Sequence, residues 1–473
     1  MAASTHYDAA IIGSGQGGTP LATAFAKDGK KVALIERTHI GGTCINEGCT
    51  PTKTMVASGR VTYLARRGAV YGVHSGSSSS ISVDMVKVRQ RKRDIVDSFR
   101  GGSERRLKIP GLDVLTGDGR FTGPNNIDVS STDGSSKSIT ADQIFINVGA
   151  RPAKPRLSGL ENVDATRVLD STSILELDVV PEHLIVLGGG PIALEFGQLF
   201  RRLGAEVTIL QRSKQLLPRE DADVASTMKE ILEQDGIKIL LGSAAQSVSS
   251  SKKGIAVEVK IDGTQAQSIE GSHLLVAAGR TPNTDTLQLD KAGIQVDKGG
   301  FIPVDEHLKT TQDHIYAIGD VKGGPAFTHV SYDDFRIVQS NLMSNATSTR
   351  KSTADRPAVY VVYTDPQLGH VGLHEAEARK KFPDKKIQVA KMPMAWVARA
   401  LETDESRGLM KAVVDAETKQ ILGFTCLGLE GGEIMAVVQV AIMGGVTYDK
   451  LQDAIFAHPS LAESLNNLWG YLE

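Results

Sequence analysis

Cysteine and net charge are both scarce in this sequence, and each shortage excludes a class of function. Three cysteines among 473 residues are too few for a secreted scaffold held together by disulfides. The 53 basic and 55 acidic residues leave a formal charge of −2, which gives no electrostatic argument for binding nucleic acid or an anionic membrane. A small molecule is therefore the expected partner, and the reducing cytoplasm is the expected compartment.

Long hydrophobic runs are missing as well. The longest apolar stretch lies around Met435 to Val446, and it is far shorter than the roughly 20 residues that span a bilayer. We interpret it as a core helix.

No targeting segment is expected, because polar residues at the N-terminus lead directly into an apolar strand. The length of the chain predicts about three or four domains.

Two of the cysteines, Cys44 and Cys49, lie five positions apart in the glycine-rich segment 41–53 (GGTCINEGCTPTK). In a regular helix this spacing corresponds to about 7.5 Å of rise, whereas a disulfide needs Cα atoms within about 4.4–6.8 Å. The first turn of the following helix is therefore predicted to be distorted, and the glycines permit this. A helix N-terminus also favours the thiolate, which is the reactive form.

The cysteine pair is predicted to be a redox centre, with two free thiols in a loop and one half of a metal site as the alternatives. A zinc site usually has ligands two to four residues apart and a second ligand pair, and the sequence shows neither here. No structural metal site is predicted, although Cys44 and Cys49 could contact a thiophilic metal transiently. The third cysteine, Cys426, is expected to pack in a strand as a small apolar residue.

A glycine motif near the N-terminus predicts dinucleotide binding. An apolar run over 9–12 leads into residues 13–18 (GSGQGG) and a helical segment, which is the strand, GxGxxG and helix order that places a pyrophosphate at a helix N-terminus. The next apolar run ends at Glu36, where a carboxylate can accept hydrogen bonds from an adenosine ribose. The candidate contacts are Gly13, Gly15, Gly18 and Glu36, and a chance glycine turn is the alternative.

The same pattern returns in the middle of the chain. Residues 184–187 (LIVL) precede residues 188–193 (GGGPIA) and a second helical segment, which makes Gly188 and Gly190 candidate contacts to a second dinucleotide. The following strand ends at Gln211-Arg212 instead of an acid. Arg212 could therefore pair with the 2′-phosphate of NADP, which favours NADPH over NADH. Solvated surface charge is the alternative for Arg212.

Further candidates lie where other apolar runs end. The runs 144–148 and 274–278 each end in a glycine turn, at Gly149 and at Gly279. A third run is followed by Gly319 and Asp320. The Asp320 carboxylate could accept hydrogen bonds from the sugar or ribityl hydroxyls of a cofactor, and a turn-forming role is its alternative.

These motifs, in this order, resemble those of the flavin-dependent pyridine nucleotide-disulfide oxidoreductases, the group of dihydrolipoamide dehydrogenase, glutathione reductase and mercuric reductase. The resemblance extends to a C-terminal segment, residues 456–463 (FAHPSLAE). It implies an α/β fold with two Rossmann-like dinucleotide-binding domains, for FAD and NAD(P)H, and an α+β C-terminal dimerisation domain. The implied boundaries are 1–153 for FAD binding, 154–277 for NAD(P)H binding, 278–350 for a central segment that completes the FAD site, and 351–473 for the interface.

The resemblance also implies a route for electrons, from NADPH through FAD to the Cys44–Cys49 disulfide and from the dithiol to the substrate. Cys49 is then the thiolate against the flavin, and Cys44 is the thiol that exchanges with the substrate. Thr43 is expected to contact the FAD. Lys53 and Glu195 are expected to pair beside the flavin, and an ordinary surface ion pair is the alternative.

The C-terminal segment supplies the expected acid–base group. By resemblance, His458 acts as the proton donor and acceptor, and Glu463 orients its ring. In this family the histidine comes from the second subunit of a homodimer, so each active site is expected to contain the partner subunit's His458. A helix-capping histidine is the alternative.

The sequence indicates the substrate less clearly than it indicates the cofactors. Pro191 occupies the position where many disulfide reductases carry an aromatic lid, and the chain lacks both the C-terminal cysteine pair and the N-terminal metal-binding module usual in mercuric reductase. Residues 193–198 nevertheless look closer to mercuric reductase, and residues 323–328 and 455–460 resemble bacterial reactive-chlorine-resistance flavoproteins, reported as thiophilic-metal reductases. The predicted acceptor is a thiophilic metal ion or a small disulfide. The alternatives are a dihydrolipoamide dehydrogenase or low-molecular-weight disulfide reductase, and a redox sensor without turnover.

Overall fold

The computed structural model describes residues 4–74, 76, 81–131, 133–263, 265–343 and 350–473. Its contacts divide the chain into two compact units. The first unit comprises Met1–Thr54, Lys87–Ala153 and Gly279–Arg356, and the second comprises Met55–Val86, Lys154–Ala278 and Pro357–Glu473. The four-part division drawn from the sequence therefore stays a prediction.

The helices and strands follow one another along the chain in three stretches. Before residue 154 they are β1 (Thr5–Ile12), α1 (Gly18–Lys27), β2 (Val32–Glu36), α2 (Gly42–Asn46), α3 (Cys49–Arg66), α4 (Met85–Arg106), β3 (Leu112–Thr116), β4 (Asp118–Gly123), β5 (Asn126–Ser130), β6 (Ser136–Ile146) and β7 (Ala150–Pro152). Between residues 154 and 278 they are β8 (Val168–Leu169), β9 (His183–Leu187), α5 (Pro191–Leu203), β10 (Glu206–Leu210), α6 (Ala222–Gln234), β11 (Lys238–Leu240), β12 (Ser243–Ser251), β13 (Gly254–Ile261), β14 (Gln267–Gly271) and β15 (His273–Val276). After residue 278 they are β16 (Arg280–Pro282), β17 (Ile315–Ala317), α7 (Thr328–Leu342), β18 (Val359–Val362), β19 (Gln367–Gly372), α8 (Glu375–Lys381), β20 (Ile387–Pro393), α9 (Ala398–Glu402), β21 (Leu409–Asp415), β22 (Ile421–Gly428), α10 (Gly431–Met443), α11 (Tyr448–Gln452) and α12 (Ser464–Leu468).

The first unit is built on a sheet in the order β3-β2-β1-β6-β5-β4, with β17 also paired to β6. Strands β2, β1, β6 and β17 run parallel, and Ile12 pairs with both Ile35 and Ile146. Apolar clusters containing Ile146 and Phe145 form its core. Because the carboxyl ends of parallel strands meet at one edge, the segments after β1, β2, β6 and β17 gather there.

The second unit contains a parallel sheet in the order β11-β10-β9-β15-β8. The three strands between β11 and β15 in the sequence form a separate antiparallel sheet in the order β12-β13-β14. Leu187 at the end of β9 pairs with Leu210 and with Val276. The glycine loop after β9 and the Gln211-Arg212 turn after β10 therefore lie at the same edge. This repeats the arrangement of the first unit and confirms two Rossmann-like domains.

The C-terminal part of the second unit is an antiparallel sheet, β18-β19-β22-β21-β20, with helices packed on it. Cys426 in β22 is fully buried, as expected, and burial raises the pKa of its thiol to about 12. The interpretation of residues 435–446 as a core helix is only partly right. Helix α10 buries Met435 and Val438, whereas Val440 and Met443 are 68% and 73% exposed.

Throughout the residues that the structure describes, every helix is too short or too polar to cross a membrane.

Candidate active site

The two cysteines lie at a junction between helices. Cys44 is inside α2 and Cys49 is the first residue of α3. Glu47 ends α2 with a φ of −141°, and a Cβ atom on Gly48 would lie 2.9 Å from the carbonyl oxygen of Thr43. The distortion expected from the five-residue spacing is thus a complete break between two helices, and it needs glycine at position 48 because the chain turns back closely on itself.

Cys44 and Cys49 are not joined by a disulfide here. Their mutual hydrogen bond is the main reason that the pKa of Cys44 is raised, and burial adds to it, while the hydroxyl of Thr328 and the charge of Lys53 act in the opposite direction. Negative charge on Cys49 opposes ionisation of Cys44. The separate roles expected for the two thiols stay predictions.

Thr328 is a site residue that the sequence analysis missed. Its Oγ1 lies 3.3 Å from Sγ of Cys49, and it opens helix α7. A hydroxyl donor and the N-terminal end of a helix both stabilise a thiolate. The two residues are 279 positions apart, and no spacing in the sequence connects them.

The first glycine loop forms the entry to α1. The helix begins at Gly18, has no side-chain cap and has no acidic residue in its first turn. A Cβ atom on Gly18 would lie 2.1 Å from the carbonyl oxygen of Gly13, and Gly15 sits between them in the same loop. The loop is therefore closed tightly on itself and leaves backbone N–H groups for an anion, which fits the pyrophosphate of a dinucleotide.

Glu36 ends β2 beside this loop. Its Oε2 accepts hydrogen bonds from the backbone N–H of Ser14 at 3.0 Å and from the Ser14 hydroxyl at 2.6 Å, and its Oε1 accepts one from the N–H of Thr38 at 2.9 Å. A carboxylate offers about four acceptor positions. Glu36 is thus fixed at the edge of the loop with capacity left for ribose hydroxyls.

Asp320 lies at the same edge, after β17. Burial raises the pKa of its carboxyl, while the charges of Arg280 and Lys322 lower it. Among the described residues, the Asp320 carboxylate accepts no hydrogen bond, and Nε of Arg280 is buried without a hydrogen-bond partner. Unsatisfied polar groups at this edge fit the hydroxyl-rich chain of FAD.

The remaining candidates of the first unit are located as follows. Gly149 and Gly279 each immediately precede a strand of the small sheet in which Arg280 of β16 pairs with Pro152 of β7. The sequence had connected these two glycines only by similarity, and the structure places them at opposite ends of this antiparallel pair, Gly149 facing Asn283 and Gly279 facing Ala153. Thr43 is exposed on α2, and Lys53 lies on α3.

The second glycine loop opens α5. Gly190 is the N-cap of this helix, which again has no side-chain cap, and a Cβ atom on Gly190 would meet nothing within 4 Å. Gly188 lies just after β9 at a φ of +118°. Arg212 is exposed after β10, and no ion pair of Arg212 is found among the residues with described positions. Open space, free N–H groups and an uncommitted guanidinium fit a second dinucleotide.

Glu195 and the C-terminal pair also lie in the second unit. Glu195 is 5% exposed, and its Oε1 accepts a hydrogen bond from the N–H of Tyr363 at 2.9 Å. Its expected pairing with Lys53 of the first unit stays a prediction.

Nδ1 of His458 lies 2.9 Å from both carboxylate oxygens of Glu463, and the imidazole is 66% exposed. The orienting contact expected from the sequence is therefore present.

The sequence matches two family descriptions over nearly its whole length. Residues 7–334 match the pyridine nucleotide-disulphide oxidoreductases, and residues 358–468 match the dimerisation domain of that family. The probable pyridine nucleotide-disulfide oxidoreductase RclA of Escherichia coli is 38% identical over 471 residues, 99% of each chain. Mercuric reductase of Staphylococcus aureus is 34% identical over 97% of this chain and 81% of its own. Dihydrolipoyl dehydrogenase of Thermus scotoductus is 33% identical over 97% of this chain and 96% of its own.

Solved structures also resemble this chain over nearly its whole length. The Cu(II) complex of the HOCl-induced flavoprotein disulfide reductase RclA from Escherichia coli has a TM-score of 0.88 and 36% sequence identity, and the likeness covers 98% of this chain and 99% of that one. A second structure of this reductase has a TM-score of 0.87. The α/β fold with a dimerisation domain, expected from the motifs, is confirmed.

Proposed function

The chain belongs to the pyridine nucleotide-disulphide oxidoreductases, enzymes that use FAD and NAD(P)H, and on this premise we propose that it passes electrons from NADPH through Cys44 and Cys49 to a thiophilic metal ion. The observation that carries the proposal is the cysteine pair, whose thiols are not joined by a disulfide and share a hydrogen bond at a helix junction. A pair in this contact can close to a disulfide and reopen with little movement of the backbone.

The residues of the first unit fit the cofactor. FAD, when bound, supplies the two-electron chemistry that connects the nicotinamide with the disulfide. The loop from Gly13 to Gly18 would hold its pyrophosphate, and Glu36 and Asp320 would accept hydrogen bonds from its hydroxyls. Lys53 would place a positive charge where negative charge develops on reduction.

The residues after β10 support NADPH as the reductant. Arg212 is exposed and free of ion pairs within the described part of the chain, at the strand end where NAD-binding proteins carry an acid. A guanidinium there matches the geometry and charge of a 2′-phosphate, and Lys214 and Arg219 add positive charge nearby.

The acceptor follows from the chemistry of the dithiol. Thiolates are soft ligands that select ions such as Cu(I), and Hg(II) is similarly thiophilic. Oxidation of Cys44 and Cys49 to a disulfide releases two electrons, which reduce one Hg(II) or two Cu(II) ions. Two relatives support this choice, because one is a mercuric reductase and another has been solved as a Cu(II) complex.

A small disulfide is the second candidate acceptor, and His458 favours it. Thiol–disulfide exchange leaves a thiolate that must take up a proton, and an imidazole oriented by Glu463 at 2.9 Å can give one. Transfer of electrons to a metal ion does not strictly need this donor. Dihydrolipoyl dehydrogenase is among the relatives.

The dimerisation domain makes the protein a homodimer, and we propose that the partner subunit's His458 completes each active site. The ring of His458 is largely exposed, and Nε2 has no hydrogen bond among the residues whose structure is given. The exposed apolar side chains of α10, Val440 and Met443, are of the kind that subunit interfaces bury.

Anaerobic steady-state oxidation of NADPH, with Hg(II), Cu(II), oxidised glutathione and lipoamide supplied separately, tests the acceptor. We expect turnover with the metal ions and its loss in Cys44→Ser and Cys49→Ser, whereas Cys426→Ala, which keeps both redox thiols, retains it. Strong turnover of glutathione or lipoamide alone would overturn the metal-ion proposal in favour of the second candidate. Reduction of the pair without turnover of any acceptor would indicate a redox sensor.

A further inference from the structure

A second group of metal-ligating side chains lies in the second compact unit, among residues that the redox chemistry does not use. Glu220 immediately precedes the segment that leads into α6, His370 lies on β19, and His374 precedes α8. They are 7%, 1% and 9% exposed. One potential ligand atom from each lies within 4.8 Å of the other two.

Tyr360 decides where the protons lie in this group. Its hydroxyl contacts Oε1 of Glu220 and lies 3.1 Å from Nε2 of His374. A phenol has one proton to donate, and the Glu220 carboxylate can only accept when it is ionised. Burial raises the pKa of this carboxyl to about 7, so the following arrangement is that of its ionised form, which is the form that binds a cation. The phenol oxygen must then accept from His374, so Nε2 carries the hydrogen and Nδ1 carries a lone pair.

Two acceptors consequently face each other across a gap. Nδ1 of His374 and Oε2 of Glu220 are 4.0 Å apart, which is too far for a hydrogen bond. Both atoms are buried, and in the described part of the chain neither has a partner at good hydrogen-bond geometry, although the His374 side chain faces the backbone N–H of Glu377 in a capping box at the start of α8. Buried lone pairs without a donor are unfavourable, and a positively charged or donating group between them would satisfy both.

The size of the gap matches a metal ion. With Zn–N and Zn–O distances of about 2.0–2.2 Å, two ligands lie roughly 3.4 Å apart at a tetrahedral angle and about 4 Å apart when nearly opposite. The observed 4.0 Å therefore needs to close by about half an ångström for tetrahedral binding, which a small side-chain rotation supplies.

His370 is placed to provide the third ligand. Its ring stacks on that of His374 with centroids 3.9 Å apart. Nε2 of His370 donates to the carbonyl oxygen of Gly372 at 3.1 Å, and Nδ1 accepts from the hydroxyl of Thr425 at 2.7 Å. Binding would replace the Thr425 hydroxyl at Nδ1 and would need the His370 ring to tilt from its nearly parallel stacking on His374, because each nitrogen lone pair lies in the plane of its own ring.

The charge around the group also suits a cation. Lys411, a largely buried amine, is already paired with Asp221 at 2.8 Å and with Glu375 at 3.0 Å. Burial lowers the pKa of His370 to about 3 and also lowers the pKa of His374, which favours the neutral imidazole that a metal ion binds. Two neutral imidazoles and a carboxylate form a donor set that zinc and similar ions prefer.

We propose that Glu220, His370 and His374 form a binding site for a divalent transition-metal ion, Zn²⁺ in the first place, that is independent of the redox cysteines. The ion would connect the segment after β10 to β19 and to the start of α8. It would stabilise the fold at that point and take no part in electron transfer, because Zn²⁺ has no accessible redox chemistry.

Equilibrium dialysis of the FAD-loaded Cys44→Ser/Cys49→Ser variant against Zn²⁺ tests the site, since the competing thiolates are then gone. We expect one equivalent of Zn²⁺ per chain. In that background, Glu220→Gln and His374→Gln should each weaken binding about tenfold or more, whereas Glu230→Gln, an exposed carboxylate on α6, should leave it unchanged.

Thermal unfolding and diffraction give two further readouts. Zn²⁺ at a hundredfold excess over its Kd should raise Tm by roughly 3 °C in the background variant and should not do so in Glu220→Gln. Anomalous diffraction at the zinc edge should place the ion between Glu220 and His374. Failure to bind Zn²⁺, binding that is unchanged in Glu220→Gln, or an anomalous peak elsewhere would overturn the proposal and leave a bridging water molecule in the gap.

Discussion

Removal of the Thr328 hydroxyl should make the Cys49 thiolate harder to form. Oγ1 of Thr328 lies 3.3 Å from Sγ of Cys49, and its hydrogen bond also lowers the pKa of the neighbouring Cys44. Thr328→Val keeps the shape of the side chain and removes the donor. The charged form of the sulfur loses stabilisation and the neutral form loses little, so the pH at which the thiolate appears must rise.

The size of this shift follows from the contact. A hydrogen bond to a charged acceptor contributes about 1.5–3 kcal/mol when it is well shielded. Cys49 is exposed, and solvent screening reduces the contribution to roughly 1 kcal/mol. Since one pKa unit corresponds to about 1.4 kcal/mol, the midpoint of thiolate formation should rise by about 0.7 of a pH unit.

Alkylation by iodoacetamide as a function of pH measures this midpoint. In a Cys44→Ser background, Cys49 is the one exposed thiol, because Cys426 is fully buried. Thr328→Val should move the midpoint of the alkylation rate upward, and Thr328→Ser, which keeps the hydroxyl, should leave it near the parent value. Equal midpoints in the parent and in Thr328→Val would refute the assignment of Thr328 as a donor to the thiolate.

Three further predictions address the proton donor, the nucleotide and the fold. His458→Gln should slow the reduction of small disulfides by about 10²-fold and leave Cu(II)-dependent NADPH oxidation within about threefold; equal losses with both acceptors would contradict the assigned role. Arg212→Gln should raise the KM for NADPH about tenfold, because a charge-assisted hydrogen bond is lost, and leave the KM for NADH unchanged; a similar rise for both would refute the 2′-phosphate contact. Burial opposes ionisation of Asp365, but Arg202 and Arg60 outweigh burial and hold its pKa below the usual value. Asp365→Asn should therefore cost about 3 kcal/mol of stability at neutral pH, and this difference should shrink as the pH falls below about 4; a difference that persists at pH 2 in thermal melts would contradict this ion pair.

The fold was largely predictable because its main signals are local. Each strand, glycine loop and helix of the two dinucleotide-binding units lies within a few consecutive residues, and the order of the motifs resembles that of one family. Glu36 and Asp320 could be recognised for the same reason, because a polar residue directly after a buried strand lies at the binding edge of a parallel sheet.

The features that the sequence did not reveal depend on contacts between distant segments or on local detail. Thr328 reaches Cys49 only after helix α7 is placed, and the Ser14 contacts to Glu36 depend on the path of the loop. Glu220 and His370 are 150 positions apart in the sequence, with the whole segment 278–350 between them, and no metal-ligand spacing connects them. The exposed face of α10 was missed because an apolar run gives no indication of which side another subunit covers.

Reductive titration of the purified protein with dithionite tests the central claim, that the Cys44–Cys49 pair carries electrons beyond the flavin. The wild-type protein should take up about twice as many electrons per flavin as Cys44→Ser or Cys49→Ser, because the disulfide accepts as many as the flavin does. Uptake that is the same in the wild type and in both serine variants, or a colourless protein that contains no flavin, would contradict it.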